Sequence, residues 1–126
     1  MKRAVIVTLF ICSSAIAGDF ASRVTEAKQV ISTPVGAQYD SALIPLIGIA
    51  IRACVPPNST DTTNFGPFTL VTYVTATGTL SDVAIEPKTK VSSCFAERFS
   101  QQTFPTPPNA TSSKGYPIVI EMKITP

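Results

Sequence analysis

The first seventeen residues constrain this chain most, because they decide which part of it folds and in what surroundings. Lys2 and Arg3 supply a positive start, and Ala4 to Ile11, continued through Ser13 and Ser14, form an apolar run. Ala15-Ile16-Ala17 then places small residues at the two positions a signal peptidase reads. The pattern predicts a cleavable secretory signal peptide, with cleavage after Ala17 and a mature chain that begins at Gly18. The competing reading is a transmembrane anchor. Residues 4–17 would reach only roughly 20 Å as a helix, against roughly 30 Å of hydrocarbon. A lipoprotein is not expected, since Cys12 follows the bulky Ile11 where lipid attachment requires a small residue.

Loss of the leader changes the charge balance. The chain carries 10 basic and 8 acidic residues, and Lys2 and Arg3 depart with the leader, so the mature domain has eight of each and no net charge. A neutral surface without a basic run offers no track for phosphates, which excludes nucleic acid as an expected partner. The remaining length suits one domain with a single core.

Export also bears on the cysteines. Cys54 and Cys94 are the two left in the mature chain, and in an oxidising compartment they are expected to bond to each other. Closing a loop of about forty residues would contribute roughly 4 kcal/mol on the chain-entropy account. The alternative is two buried free thiols. A zinc site is not expected, because the chain has no histidine and no CxxC spacing. No cofactor is expected.

Residues 18–35 read as an N-terminal arm or short helix, with Val24, Ala27, Val30 and Ile31 as its inner edge, and residues 36–126 as the main domain. Pro34 and Gly36 punctuate the chain ahead of a helix whose stripe is Tyr39, Leu43, Ile47, Ile51 and Val55. Asp40 or Ser41 is the expected N-cap, which would leave Pro45 near the first turn, and Pro56-Pro57 ends the helix. After a polar loop, Phe68 to Thr75 alternates as a strand, Ala76 to Thr79 turns with Gly78 at positive φ, and Leu80 to Glu86 returns. Ser92 or Ser93 is expected to cap a short helix bearing Cys94, Phe95 and Phe99. Phe104 to Pro108 must be extended, because proline fixes its own φ and restricts the residue before it. In the last strand Ile118, Ile120, Met122 and Ile124 are expected to face in, with Val119, Glu121 and Lys123 facing out. The fold class that follows is α+β, in the order α-β-β-α-β: a three-stranded antiparallel sheet with helices packed on one face.

The chemistry-bearing residues show no catalytic pattern. The chain lacks histidine, the commonest general base, and has no GxSxG, no phosphate-cradling glycine loop and no metal-ligand cluster. Asp82 and Glu86 are read as the wet side of a hairpin, and no cleft with two inward carboxylates is expected. Catalysis is therefore not expected, and no catalytic, cofactor-binding or metal-binding residue is assigned. Phe65, Phe68 and Tyr73 are read as strand packing rather than a binding patch, and Phe95, Phe99 and Phe104 as core. The triplets Asn58-Ser59-Thr60 and Asn109-Ala110-Thr111 are glycan acceptors only in a eukaryotic secreted protein.

The run Gly78-x-Leu80-x-x-Val83-x-Ile85, then Cys94-Phe95 with Phe99, then Phe104-Pro105-x-Pro107, resembles the C-terminal domain shared by TonB and TolA proteins and related gliding-motility proteins. The resemblance covers residues 39–126, and Thr77 departs from the acidic residue usual before the hairpin glycine. It implies a periplasmic module that binds another envelope or secreted protein, with secretion as the alternative location. Some members join their first helix or strand to the second helix by a disulfide, which would match Cys54 and Cys94. Family domains engage partners by strand addition at a sheet edge, where unpaired backbone groups await an extended peptide. The candidate edge strand is Ile118, Val119, Ile120, Glu121, Met122 and Lys123; the bland alternative is an ordinary solvated strand face. Unlike the force-transducing members, this chain is expected to keep no membrane anchor and no long spacer. Two roles remain open: an adaptor in a bacterial envelope complex, or a secreted or periplasmic inhibitor or immunity protein of the same fold.

Overall fold

The computed structural model describes residues 15–55, 66–108 and 113–123. Its elements are α1 (Ala15–Ile31), α2 (Pro34–Cys54), β1 (Phe68–Val74), β2 (Leu80–Glu86), α3 (Lys90–Ser100) and β3 (Tyr116–Met122). The strands form one antiparallel sheet in the order β2-β1-β3. This is the expected α+β architecture, with α1 as an addition on a second face.

β1 sits at the centre because its β-branched and aromatic residues suit a strand buried on both sides. Leu70, Val71, Thr72 and Val74 are all essentially inaccessible. Its ladder to β3 is regular from Phe68↔Met122 to Val74↔Tyr116, whereas the ladder to β2 shifts register between Val71 and Tyr73. At that irregularity Asp82 takes a φ of 50°, and the buried Thr72 hydroxyl donates to the Ser81 carbonyl at 2.8 Å. The turn between β1 and β2 places Gly78 at φ 81° as expected. A Cβ there would lie 2.4 Å from the Phe104 carbonyl oxygen, and the Phe104 N–H donates to the Gly78 carbonyl at 2.9 Å. Glycine therefore serves both the turn and the close approach of the Phe104–Pro108 segment.

α2 begins seven residues earlier than the Asp40 cap anticipates. Thr33 is the N-cap, accepting a bond from the Gly36 N–H at 3.0 Å, and Pro34 opens the helix where its missing N–H costs nothing. Pro34 and Gly36 thus belong to the helix and do not precede it. Gly36 is required by packing: a Cβ would fall 1.9 Å from the Val30 carbonyl oxygen, where α1 meets α2. Pro45 consequently lies inside the helix, on its exposed side, where the Ser41 carbonyl it leaves unpaired can meet water. α2 is long and apolar enough to cross a membrane by length and composition. Here Tyr39, Leu43 and Ala50 are buried in the core, while Val35, Ile44 and Ile49 remain exposed.

α3 is capped by Thr89 and not by Ser92 or Ser93. Thr89 and Ser92 exchange bonds in a capping box, with the Ser92 N–H donating to Thr89 Oγ1 at 3.0 Å and the Thr89 N–H donating to Ser92 Oγ at 2.7 Å. Ser92 takes the third helical position, with serine in place of the usual glutamate. The helix drives Phe95 and Phe99 into the core beneath α2, stacked at 5.3 Å, and Phe104 meets Phe99 edge-on at 4.9 Å. Phe68 joins this cluster and Tyr73 is also buried, so both are packing residues as expected. Phe65 and Ile124 lie outside the described residues.

α2 and α3 occupy the face of Phe68, Leu70, Val74, Ile118 and Ile120. α1 occupies the other, where Ala27, Val71 and Val119 form a second buried cluster ringed by half-buried Phe20, Val24, Ile31 and Ala84. Val119, expected to face solvent, is therefore only 7% exposed. Alternation sorts side chains to two faces of a strand, but the second face is wet only when nothing covers it.

Phe99 is fully buried, so Phe99→Ala is expected to lower unfolding free energy by roughly 3–5 kcal/mol in urea titration, with the m-value unchanged. A loss below about 1 kcal/mol would contradict the packing of α3 on the sheet.

Candidate functional site

The Cys54–Cys94 pair forms a disulfide, with an S–S distance of 2.07 Å and Cα atoms 5.8 Å apart. It ties the last residue of α2 to α3. The bond and the apolar N-terminal segment fit a chain that folds in an oxidising compartment. The opposite end of the same helix pair is held without covalent help. Gln102 Nε2 donates to the Leu46 carbonyl and the Tyr39 hydroxyl donates to the Pro105 carbonyl, both at 2.8 Å. The extended Phe104–Pro108 segment is thereby laid along one flank of α2.

A groove of about 400 Å³ opens on that flank, lined by Val35, Tyr39, Ala42, Pro105, Pro107 and Pro108. A smaller cleft of about 280 Å³ lies where α1, β2 and α3 meet, with Phe20, Ile85 and Ala96 beneath Arg23, Glu86 and Lys88. Asp19 also lines it, so two carboxylates share its rim, both exposed and interspersed with cations. Asp82 does not join them and approaches Lys114 at 3.6 Å.

β3, the candidate partner-binding strand, lies at a sheet edge. Ile118 and Ile120 point into the main core and Met122 is half-buried beside it. Glu121 and Lys123 are exposed, and Glu121 accepts an ion pair from Lys28 of α1 at 2.6 Å. α1 crosses the sheet to reach it: Phe20 stands beside Glu86 and Pro87, Arg23 at Tyr73 and Asp82, and Lys28 at Glu121. Val30 then packs into the core on the other face, so the chain rounds the β3 side of the sheet on its way into α2. The arrangement of α1 over β3 is absent from a strand-by-strand reading. Its one signal is the spacing of Phe20, Val24, Ala27 and Ile31, a single helical face on which Phe20 is the residue that reading omits.

At the start of β3, Tyr116 packs edge-on against Tyr39 at 5.0 Å. Burial pushes the Tyr39 phenol up to about 12, with Tyr116 adding to the effect. Tyr116 is raised by burial and then by the nearby Asp40 carboxylate, and Asp40 itself is raised by burial. The Tyr116 hydroxyl is buried with no hydrogen-bond partner. Both glycosylation triplets fall outside the described residues. No family model, curated protein or solved structure matches the chain.

The Tyr39 shift sets a direction for alkaline stability. Its folded value exceeds the ordinary phenol value of 10.0, so its contribution is complete below pH 10 and lost as pH rises toward 12. Urea titrations over this range are expected to show a stability decline that Tyr39→Phe reduces. Equal declines in both proteins would contradict the assignment.

Proposed function

We propose that this chain is an exported protein-binding module that acts through β3 in the bacterial periplasm, as an adaptor within an envelope complex. The observation that carries the reading is the position of β3 at the sheet edge, in a domain whose element order and disulfide accord with the TonB/TolA-like pattern. An edge strand presents N–H and C=O groups in a row that an extended segment of another protein completes, and flanking side chains select the segment. Ile118 to Lys123 supply that row. The stiff backing comes from β1 and from the two helices linked by Cys54–Cys94.

The role follows from which protein is retained. Oxidised protein immobilised in native envelope extract is expected to hold a component of an envelope complex, and Glu121→Pro is expected to abolish retention by removing a backbone donor from β3. Retention of a single toxin or hydrolase would make the protein an inhibitor or immunity factor instead. Equal retention by the proline variant would place the binding surface elsewhere.

Reduction tests the backing separately. Cys54→Ser/Cys94→Ser opens a 40-residue loop, so its unfolding free energy is expected to fall by up to about 4 kcal/mol in urea. No loss would mean that the bond contributes nothing to holding α2 on α3.

A further inference from the structure

We propose that α1 is a strap over β3 that opens as a unit and gates partner access; the inference rests on the reading of β3 as the binding strand. Among the described elements, α1 is joined to the others by the short turn at Ser32 and Thr33, and the disulfide leaves it out. Among the described residues, Ala27 of α1 is buried against Val71 and Val119, with Tyr73 buried under Arg23; Phe20, Val24 and Ile31 are only partly buried, and Val30 reaches the edge of the main core. The core under α2 and α3 is far larger, with fourteen buried members. An element with so few buried apolar contacts opens well below the free energy of global unfolding.

The narrow apolar contact of α1 is supplemented by polar contacts near the surface. The Arg23 guanidinium lies 4.9 Å over the Tyr73 ring and donates to the Asp82 carbonyl. Lys28 pairs with Glu121, and both side chains are more than half exposed, so water and salt weaken the pair. One feature favours release: a Glu26 carboxylate oxygen is buried on α1 without a hydrogen-bond partner. Opening returns it to water. Opening also uncovers Val71, Tyr73 and Val119 on the face beside the edge of β3. A partner segment laid along the edge of β3 would then set its own apolar side chains beside Val119, on the face that Ala27 had covered.

Hydrogen exchange on the exported protein with its disulfide intact reads the strap directly. Amides of α1 are expected to exchange at least about tenfold faster than those of α3, and Arg23→Ala to speed α1 by about tenfold more with α2 and α3 unchanged. A second readout uses iodoacetamide on Val119→Cys, since the native cysteines are silent while bonded. The new thiol should react at a rate that Arg23→Ala raises by the same factor. Exchange of α1 and labelling at position 119 only at the rate of α3 would overturn the strap. If α1 opens but Arg23→Ala and the unsubstituted protein retain equal amounts of the envelope component, gating is overturned while the binding reading stands. If neither retains any protein, the reading of β3 as a binding strand falls, and gating of a partner with it.

Discussion

With β2 on one side and β3 on the other, β1 has no free edge, and its side chains demand apolar cover on both faces. Phe68, Leu70 and Val74 point one way and Val71 the other, all nearly excluded from water. A single helical layer satisfies only half of this demand. α2 and α3 supply a deep aromatic layer on one face, and α1 crosses the other, so a small domain becomes a sheet enclosed by helices. Apolar burial at about 25 cal/mol per Å² is the main favourable term available to a chain of this size.

The two helical layers are secured by different means, which gives them different freedom. α2 and α3 are bonded at one end by Cys54–Cys94 and at the other by Tyr39 and Gln102 reaching backbone carbonyls. Phe95, Phe99 and Phe104 fill the space between them. Among the described residues, α1 is held by a narrow apolar contact, by Arg23 over Tyr73 and on the Asp82 carbonyl, and by the exposed Lys28–Glu121 ion pair. The rigid layer therefore shapes the sheet, and the looser one decides when its second face is seen. β3 belongs to both, since Ile118 and Ile120 lie under the rigid layer while Val119 and Glu121 meet the loose one.

Much of this was legible in the residues. The hairpin around Gly78, the strand boundaries at Leu80 and Glu86, and the Phe95/Phe99 face of α3 follow from periods of two and 3.6 and from turn chemistry. The Cys54–Cys94 bond follows from cysteine count and export. Helix starts were less legible, because Thr33-Pro34 and Asp40-Ser41 are both competent starts and only the contact of Gly36 with Val30 separates them. The capping box of α3 was obscured because Ser92 takes the place usual for glutamate. Burial of Val119 was out of reach of strand alternation, since it depends on a helix nearly a hundred residues away. The proposed partner-binding role rests on β3 being an edge, a property of strand order that no local pattern encodes.

The central claim is that the sheet is covered on both faces, with α1 seated on β3. Methyl–methyl nuclear Overhauser effects in the oxidised protein test it most directly. Cross-peaks from the Ala27 methyl to Val71 and Val119, alongside those from Leu43 to Ile118 or Ile120, are the expected result. Cross-peaks for the second set alone, with the Val119 methyls in contact with water, would leave α1 a detached arm and contradict the account.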